Sequence, residues 1–285
     1  MKNKLSPDTF IDLSELKLVA QEQSEFQLIS FYDSYDYGRL MMLDDHFHTS
    51  EKDHFFYQEP LAHVPLLLHP KPESVLIIGG GDGGVAEEVL KHPSVSYVYL
   101  VEHDDKVIDM SKLHINSVHQ DVWNDERLNI SITDGELFLK ETDLLFDVII
   151  IDLPRTDKHY SISNTKQFMQ FAREKLSVDG VICMHLGSPF YQPMRIKIVH
   201  QLLKEQFSDI YPFGTSVPLW GGYWMMACAT SNSELNPISM SFPEIKKRLQ
   251  DRMVRKLYYI NPQSYKGLFT LPNYAQWCFN GRLKI

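Results

Sequence analysis

The chain has 285 residues, 44% hydrophobic and 23% charged, a balance that excludes collagen-like, coiled-coil and disordered classes. Its 28 Lys and Arg stand against 37 Asp and Glu, a net charge of −9, so neither nucleic acid nor an anionic membrane is an expected partner. The three cysteines, Cys183, Cys228 and Cys278, are odd in number and share no C-x-x-C spacing. They exclude a disulfide framework or zinc ribbon and read as buried thiols of a cytoplasmic protein.

The N-terminal MKNKLSPDTF lacks the apolar core of a signal peptide, and runs such as Leu66–Leu68 and Val75–Ile78 are far too short to cross a bilayer. Phe26–Phe47 mixes aromatic and aliphatic residues with turn residues, Tyr37-Gly38 among them, and predicts a small set of antiparallel strands and hairpins. The texture changes near residue 60, which places an N-terminal β-strand domain at 1–58 and a second domain at 59–285.

From there strands and helices alternate. Val75–Ile78 is a short apolar run stopped by glycines, and GVAEEVLKH follows with helical spacing, Val85, Val89 and Leu90 on one face. Tyr97–Val101, Leu128–Ile132, Asp147–Ile151 and Gly180–Met184 are the further strands, the last preceded by the helix-like FMQFAREKL. Near-continuous apolar strands are buried on both faces. Their alternation with helices predicts an α/β fold with a doubly wound, Rossmann-like parallel sheet. SFPEIKKRLQDRMVRKL reads as one helix with a basic face that is solvated or forms part of a subunit contact.

In such a sheet ligands sit beyond the carboxyl ends of the strands. Those ends carry Gly79–Gly84 (GGGDGG), Glu102, Asp134 and Asp152. One carboxylate in a turn is commonplace, because Asp caps helices and initiates turns. Four at successive strand ends, beside a polyglycine loop, mark a binding site. Glycines let backbone approach a ligand where a Cβ would clash. Asp82 inside the loop is unsuited to a phosphate and suits an ammonium or sulfonium. Glu102 stands where a carboxylate grips a ribose diol. Together they favour a neutral or cationic nucleoside over a dinucleotide, with S-adenosylmethionine or its decarboxylated form fitting best. His46, His48 and His54 have no cysteine partner and read as surface or pocket residues, so no metal is expected. Met41-Met42 and Met225-Met226 read as strand packing.

VLIIGGGDGGVAEEVLKHPSVSYVYLVEHD resembles the nucleoside-binding signature of the polyamine aminopropyltransferases, the spermidine synthase family. YGRLMMLDD, EKDHFFYQEPLAH, TDGELFLK, VPLWGGYW and YYINPQSYKGLFTLP resemble further blocks of that family in the same order, so the resemblance spans nearly the whole chain. It implies transfer of the aminopropyl group of decarboxylated S-adenosylmethionine to an amine, with release of methylthioadenosine, by a cytoplasmic homodimer or homotetramer. It implies Asp152 as the base that takes the amine's proton and Asp82 as the partner of the donor's ammonium. Glu102 would bind the ribose, and Asp134, with Gly135, the adenine. Gly79, Gly81 and Gly83 belong to the loop. Gln58 matches a donor-binding position, and His48 stands where the family usually has a glutamine. Tyr57 and Trp220 would line the acceptor channel.

The departures cluster on the acceptor side. The family's Asp-x-x-Asp-Pro is Asp152-Leu153-Pro154-Arg155-Thr156 here, so Arg155 replaces an acidic residue that binds the diamine. The family's Gly-Glu-Ser-Pro is Leu186-Gly187-Ser188-Pro189, and its histidine in the C-terminal segment is Tyr265. A guanidinium in place of a carboxylate disfavours a diamine and suits an acceptor bearing a carboxylate or phosphate. Nucleotide-peptide antibiotics of the microcin C type are one precedent for such an acceptor. The other reading has Arg155 facing solvent and Asp157 taking over. An S-adenosylmethionine-dependent methyltransferase and a catalytically silent subunit are further alternatives. Asp82 argues against the first, because it would face the intact donor's carboxylate, and Asp152 argues against the second.

Overall fold

The computed structural model describes residues 2–6, 8–153, 165–252 and 254–280. The N-terminal part holds β1 (Lys2–Lys4), β2 (Phe10–Asp12), β3 (Lys17–Gln23), β4 (Leu28–Ser34), β5 (Gly38–Leu43) and β6 (His46–Ser50). β1 and β2 form a two-stranded sheet that the sequence pattern did not reveal, and β3 to β6 form an antiparallel sheet in that order. Met41 and Met42 pack inside β5, as expected.

After α1 (Phe55–Leu68) come β7 (Ser74–Gly79), α2 (Gly84–Leu90), β8 (Tyr97–Glu102), α3 (Asp105–His114), α4 (Asn116–His119), β9 (Leu128–Ile132), α5 (Gly135–Glu141) and β10 (Phe146–Asp152). A helix at Lys166–Glu174 leads to β11 (Leu176–Gly187), and a helix at Pro193–Gln206 leads to β12 (Asp209–Val217) and β13 (Gly222–Thr230). These strands form one sheet in the order β12-β13-β11-β10-β7-β8-β9. β7 to β11 are parallel, as predicted, while β13 lies antiparallel to both β11 and β12. β12 and β13, which the sequence reading did not foresee, make the sheet mixed at that edge: a short turn joins them and reverses the chain instead of crossing the sheet.

Two-residue periodicity divides the strands between two cores. Val75, Ile77, Val148, Ile150, Val181 and Cys183 pack with α1 and α2 on one face. Leu76, Ile78, Ile149, Ile151, Ile182 and Met184 pack on the other. Double coverage is why these runs are apolar at every position. Cys183 and Cys228 face each other across β11 and β13 as free thiols, and burial pushes the Cys228 thiol well up.

The basic C-terminal helix differs from its prediction. It spans Phe242–Asp251, and two shorter helices follow, Pro262–Leu268 and Asn273–Asn280. Arg248 and Arg252 do not form a solvated face. They donate to the carbonyls of Leu66, Leu67, Leu68, His69 and Pro70 at the end of α1. A helix leaves its last carbonyls without intrahelical donors, and a guanidinium supplies several at once. Earlier in α1, the buried Glu59 accepts the backbone N–H groups of Tyr258, Tyr259 and Ile260 at 2.6, 2.9 and 2.7 Å. The C-terminal segment therefore holds α1 in place over the sheet.

β7 and β10 are neighbours, yet the chain leaves β7 toward β8 and returns to β10 before β11. Their carboxyl ends diverge at this switch point, which opens a crevice.

Candidate active site

The crevice begins with the glycine loop after β7. Gly79 has φ +82°, and a Cβ there would lie 2.2 Å from the carbonyl oxygen of Asp152, so only glycine closes this approach. The next N–H, from Gly80, donates to that same carbonyl at 3.0 Å. Asp82 is fully buried. Its Oδ1 accepts from the Gly84 N–H at 3.0 Å. Its Oδ2 accepts from the Tyr57 hydroxyl at 3.2 Å and the Gln58 amide at 3.1 Å, both on α1. Burial, then the charges of Asp82 and Asp152, push the Tyr57 hydroxyl well above its usual range, so it stays a phenol and a donor. His54 Nδ1 donates to Gln58 Oε1 at 2.7 Å, which turns the amide N–H toward Asp82. His48 Nε2 lies 4.0 Å from Asp82 Oδ2.

Glu102 ends β8 and turns back over the loop. Its Oε2 accepts from the Gly81 N–H at 3.1 Å, and its Oε1 from His103 and Asp104 at 2.8 and 3.0 Å. Burial lifts its carboxyl to about 7, against the pull of those three donors. Asp134 caps α5, its Oδ1 accepting from Glu136 and Leu137 at 2.9 and 3.0 Å. Glu102, Asp134 and Gly135 line one cleft together with Gln27, Gly79 and Phe168.

Asp152 closes the far side of the crevice at the end of β10. Its carboxyl is buried, with Oδ1 3.1 Å from His185 Nε2 and Oδ2 without a hydrogen-bond partner among the described residues. Burial first, and the charge of Asp82 second, raise it to about 7, while His48 pulls it down. Around it stand rings. Tyr57 and Trp220 have centroids 4.4 Å apart, and Trp220 and Trp224 lie 4.9 Å apart. Trp220 is fixed by its indole N–H, which donates to the His48 carbonyl at 2.9 Å.

Of the described residues singled out in the sequence, Gly79, Glu102, Asp134 and Gly135 line the cleft. Tyr57, Gln58 and His48 gather around Asp82, and Trp220 stacks near Tyr57. Asp152 meets the loop at Gly79 and Gly80, and Gly83 packs against His119 and Trp123 instead. Arg155, with Pro154, Thr156 and Asp157, lies outside the described residues. Sequence reasoning missed three residues. His185 sits on β11 near its carboxyl end, where the strand-end rule would have found it had it not been applied to carboxylates alone. Trp224 closes VPLWGGYW, but nothing local distinguishes it from Trp220 as the ring whose N–H meets His185. Gln27 comes from the turn between β3 and β4 and has no local signal. It reaches the cleft because Asp104, the cap of α3, accepts from Gln27 at 3.0 Å and from the Ser24 hydroxyl at 2.6 Å. Among the described residues no cluster of His, Cys, Asp and Glu is arranged to hold a metal, and no helix is long and apolar enough to cross a membrane.

A glycine loop, strand-end carboxylates and a buried carboxylate facing aromatic rings define a nucleoside-binding transferase of the Rossmann-like class. Residues 54–239 match the spermine/spermidine synthase domain, and residues 16–51 match the spermidine synthase tetramerisation domain. The chain therefore belongs to the spermine/spermidine synthase family. It is 34% identical to a polyamine aminopropyltransferase of Nitrosomonas europaea, over 95% of this chain and 83% of that one. It is 35% identical to one of Methanocaldococcus jannaschii, over 88% and 85%. The spermidine synthase of Thermotoga maritima superposes with a TM-score of 0.83 at 31% identity, covering 93% of this chain and 87% of that one. A spermidine synthase in complex with the transition-state analogue AdoDATO superposes equally well. The family, fold class and aminopropyltransferase activity expected from the sequence are borne out. The tetramerisation match falls on β3 to β6 and marks that sheet as an oligomerisation element.

Proposed function

We propose that this aminopropyltransferase uses decarboxylated S-adenosylmethionine as donor, Asp152 as base and an amine as acceptor. The observation that carries the reading is the buried Asp152 carboxyl, one oxygen held and the other without a partner among the described residues, beside a second buried carboxylate, Asp82. Glu102 would hold the ribose hydroxyls, and Asp134 the adenine amino group through the oxygen not used in capping. Gly79, Gly81, Gly83 and Gly135 would let the donor lie against backbone. Asp82, with Gln58 and His48 around it, would pair with the donor's ammonium. Tyr57 and Trp220 would flank the acceptor.

An amine of ordinary pKa ~10 arrives protonated. Its proton passes to Asp152, and the freed nitrogen lone pair forms a bond to the aminopropyl carbon beside the sulfonium. The carbon–sulfur bond breaks, its electron pair returns to sulfur, and methylthioadenosine leaves as a neutral thioether. Holding nitrogen, carbon and sulfur in line supplies much of the acceleration. Asp152→Asn should lower turnover by at least about 10²-fold, the range of a lost general base, while leaving donor affinity nearly unchanged by calorimetry. Undiminished turnover would remove Asp152 from this role. Decarboxylated donor should also bind at least about tenfold tighter than intact S-adenosylmethionine, whose carboxylate would face Asp82. The reverse order would favour methyl transfer.

A second reading concerns the acceptor. The family's acidic position is Gly187 here, at φ +120°, a backbone conformation that residues with a side chain rarely adopt. With Arg155 this favours an acceptor other than a simple diamine. Mass spectrometry with both donors and a panel of amines tests it, and Arg155→Asp should improve the use of putrescine. We further propose a functional division at 1–58 and 59–285, a homodimer or homotetramer, and a cytoplasmic location.

A further inference from the structure

We infer that His185 is a positioning residue for the base: its Nε2–H holds Asp152 Oδ1, and Trp224 fixes the ring in that tautomer, leaving Oδ2 to take the acceptor's proton. The inference rests on the reading of Asp152 as base. The Trp224 indole N–H lies 3.0 Å from His185 Nδ1. An indole nitrogen only donates, so Nδ1 accepts and carries no proton. The neutral ring then has its single proton on Nε2, which donates to Asp152 Oδ1 at 3.1 Å. A second proton would have to sit on Nδ1, which already accepts the indole N–H. His185, Trp224 and Asp152 are all buried, so water cannot replace either bond. The pair is therefore no proton relay: His185 already holds the proton it shares with Asp152 and has no site for another.

The consequence is directional. Oδ1 is occupied, and among the described residues Oδ2 has no hydrogen-bond partner and lies beside Gly80, where an added Cβ would stand 3.2 Å from it. The groups facing Asp152 are Asp82 from the glycine loop, His48 from β6, the Tyr57 phenol from α1 and His185 from β11. Among the described residues His185 is the one that donates to the carboxylate, and a donor to the charged form favours that form.

The test compares wild type with His185→Phe, which removes the donor, His185→Gln, which keeps an N–H at the end of the side chain, and Trp224→Phe, which releases the tautomer. The Asp152 carboxyl is titrated by carbon NMR in the unliganded protein, and ring nitrogen shifts report the His185 tautomer. Methylthioadenosine release is followed with decarboxylated S-adenosylmethionine and putrescine. In His185→Phe the carboxyl midpoint should rise by about one pH unit, a tenfold gain in proton affinity. The kcat should fall by about 10- to 100-fold, as for a misaligned catalytic group, with donor affinity unchanged. His185→Gln should restore both, and wild-type spectra should place the proton on Nε2 with Nδ1 free of one. An unchanged midpoint and kcat in His185→Phe, or a proton on Nδ1 in wild type, overturns the inference. Should His185→Phe fail to fold, the wild-type spectra and Trp224→Phe still decide. If wild type releases no methylthioadenosine, the reading of Asp152 as base for putrescine is what fails, and the carboxyl titration still shows whether His185 holds Asp152.

Discussion

Two carboxyl groups at the crevice, Asp152 and Glu102, are each lifted to about 7, and for both burial is the largest cause. The neighbours differ. Glu102 receives three backbone donors, whereas Asp152 has Asp82 nearby as a like charge. A base must be ionised to accept a proton, so kcat/KM should rise with pH through an acid limb near 7. Burial first and the charge of Asp82 second set that midpoint. The same shift has a stability consequence. The folded protein binds the Asp152 proton more tightly than the unfolded chain, so stability falls as pH rises from the ordinary carboxylate range toward 7. Asp152→Asn should therefore be more stable than wild type at pH 8, by about 1–3 kcal/mol, and lose most of that advantage near pH 4. Paired thermal melts across this range measure it, and equal melting points at pH 8 would contradict the assignment.

At the scale of elements, α1 carries Tyr57 and Gln58 to Asp82 and must not shift along its axis. Its C-terminal carbonyls are held by Arg248 and Arg252, and Glu59 holds three N–H groups of the C-terminal segment. Burial and the neighbouring Arg248 lower Arg252 to about 10, still charged at neutral pH. Arg252→Ala should cost about 1–3 kcal/mol in urea unfolding, because it leaves buried carbonyls without donors. Turnover of the folded variant should stay within about twofold, since Arg252 touches nothing in the crevice. A loss of turnover without a loss of stability would mean that α1 has moved.

For the molecule as a whole, the two large sheets meet at the donor cleft. Asp104 caps α3 and holds Ser24 and Gln27, in the turn between β3 and β4, against it. The part of the chain that matches a tetramerisation domain therefore also contributes Gln27, from its β3–β4 turn, to the wall of the cleft proposed to hold the nucleoside. Asp104→Ala should weaken donor binding by about tenfold and cost about 1 kcal/mol through the lost cap. The acid limb set by Asp152 should stay in place. Calorimetry and a pH profile separate the two effects, and unchanged donor affinity would show that the wall stands without this tie.

Much of the site was legible in the chain alone. A strand buried on both faces must be apolar at every position, so its end is visible as the first glycine or carboxylate, and Gly79, Glu102, Asp134 and Asp152 appear in order. The glycine loop is equally local, because backbone that closes against backbone admits no Cβ. What the chain could not display are pairings between distant segments: β13 running antiparallel beside β11, Arg248 and Arg252 on the carbonyls of α1, Gln27 in the cleft, and Trp224 fixing the proton of His185. Each depends on the register and orientation in which separately formed elements pack, and those are set by the completed core rather than by any stretch of sequence.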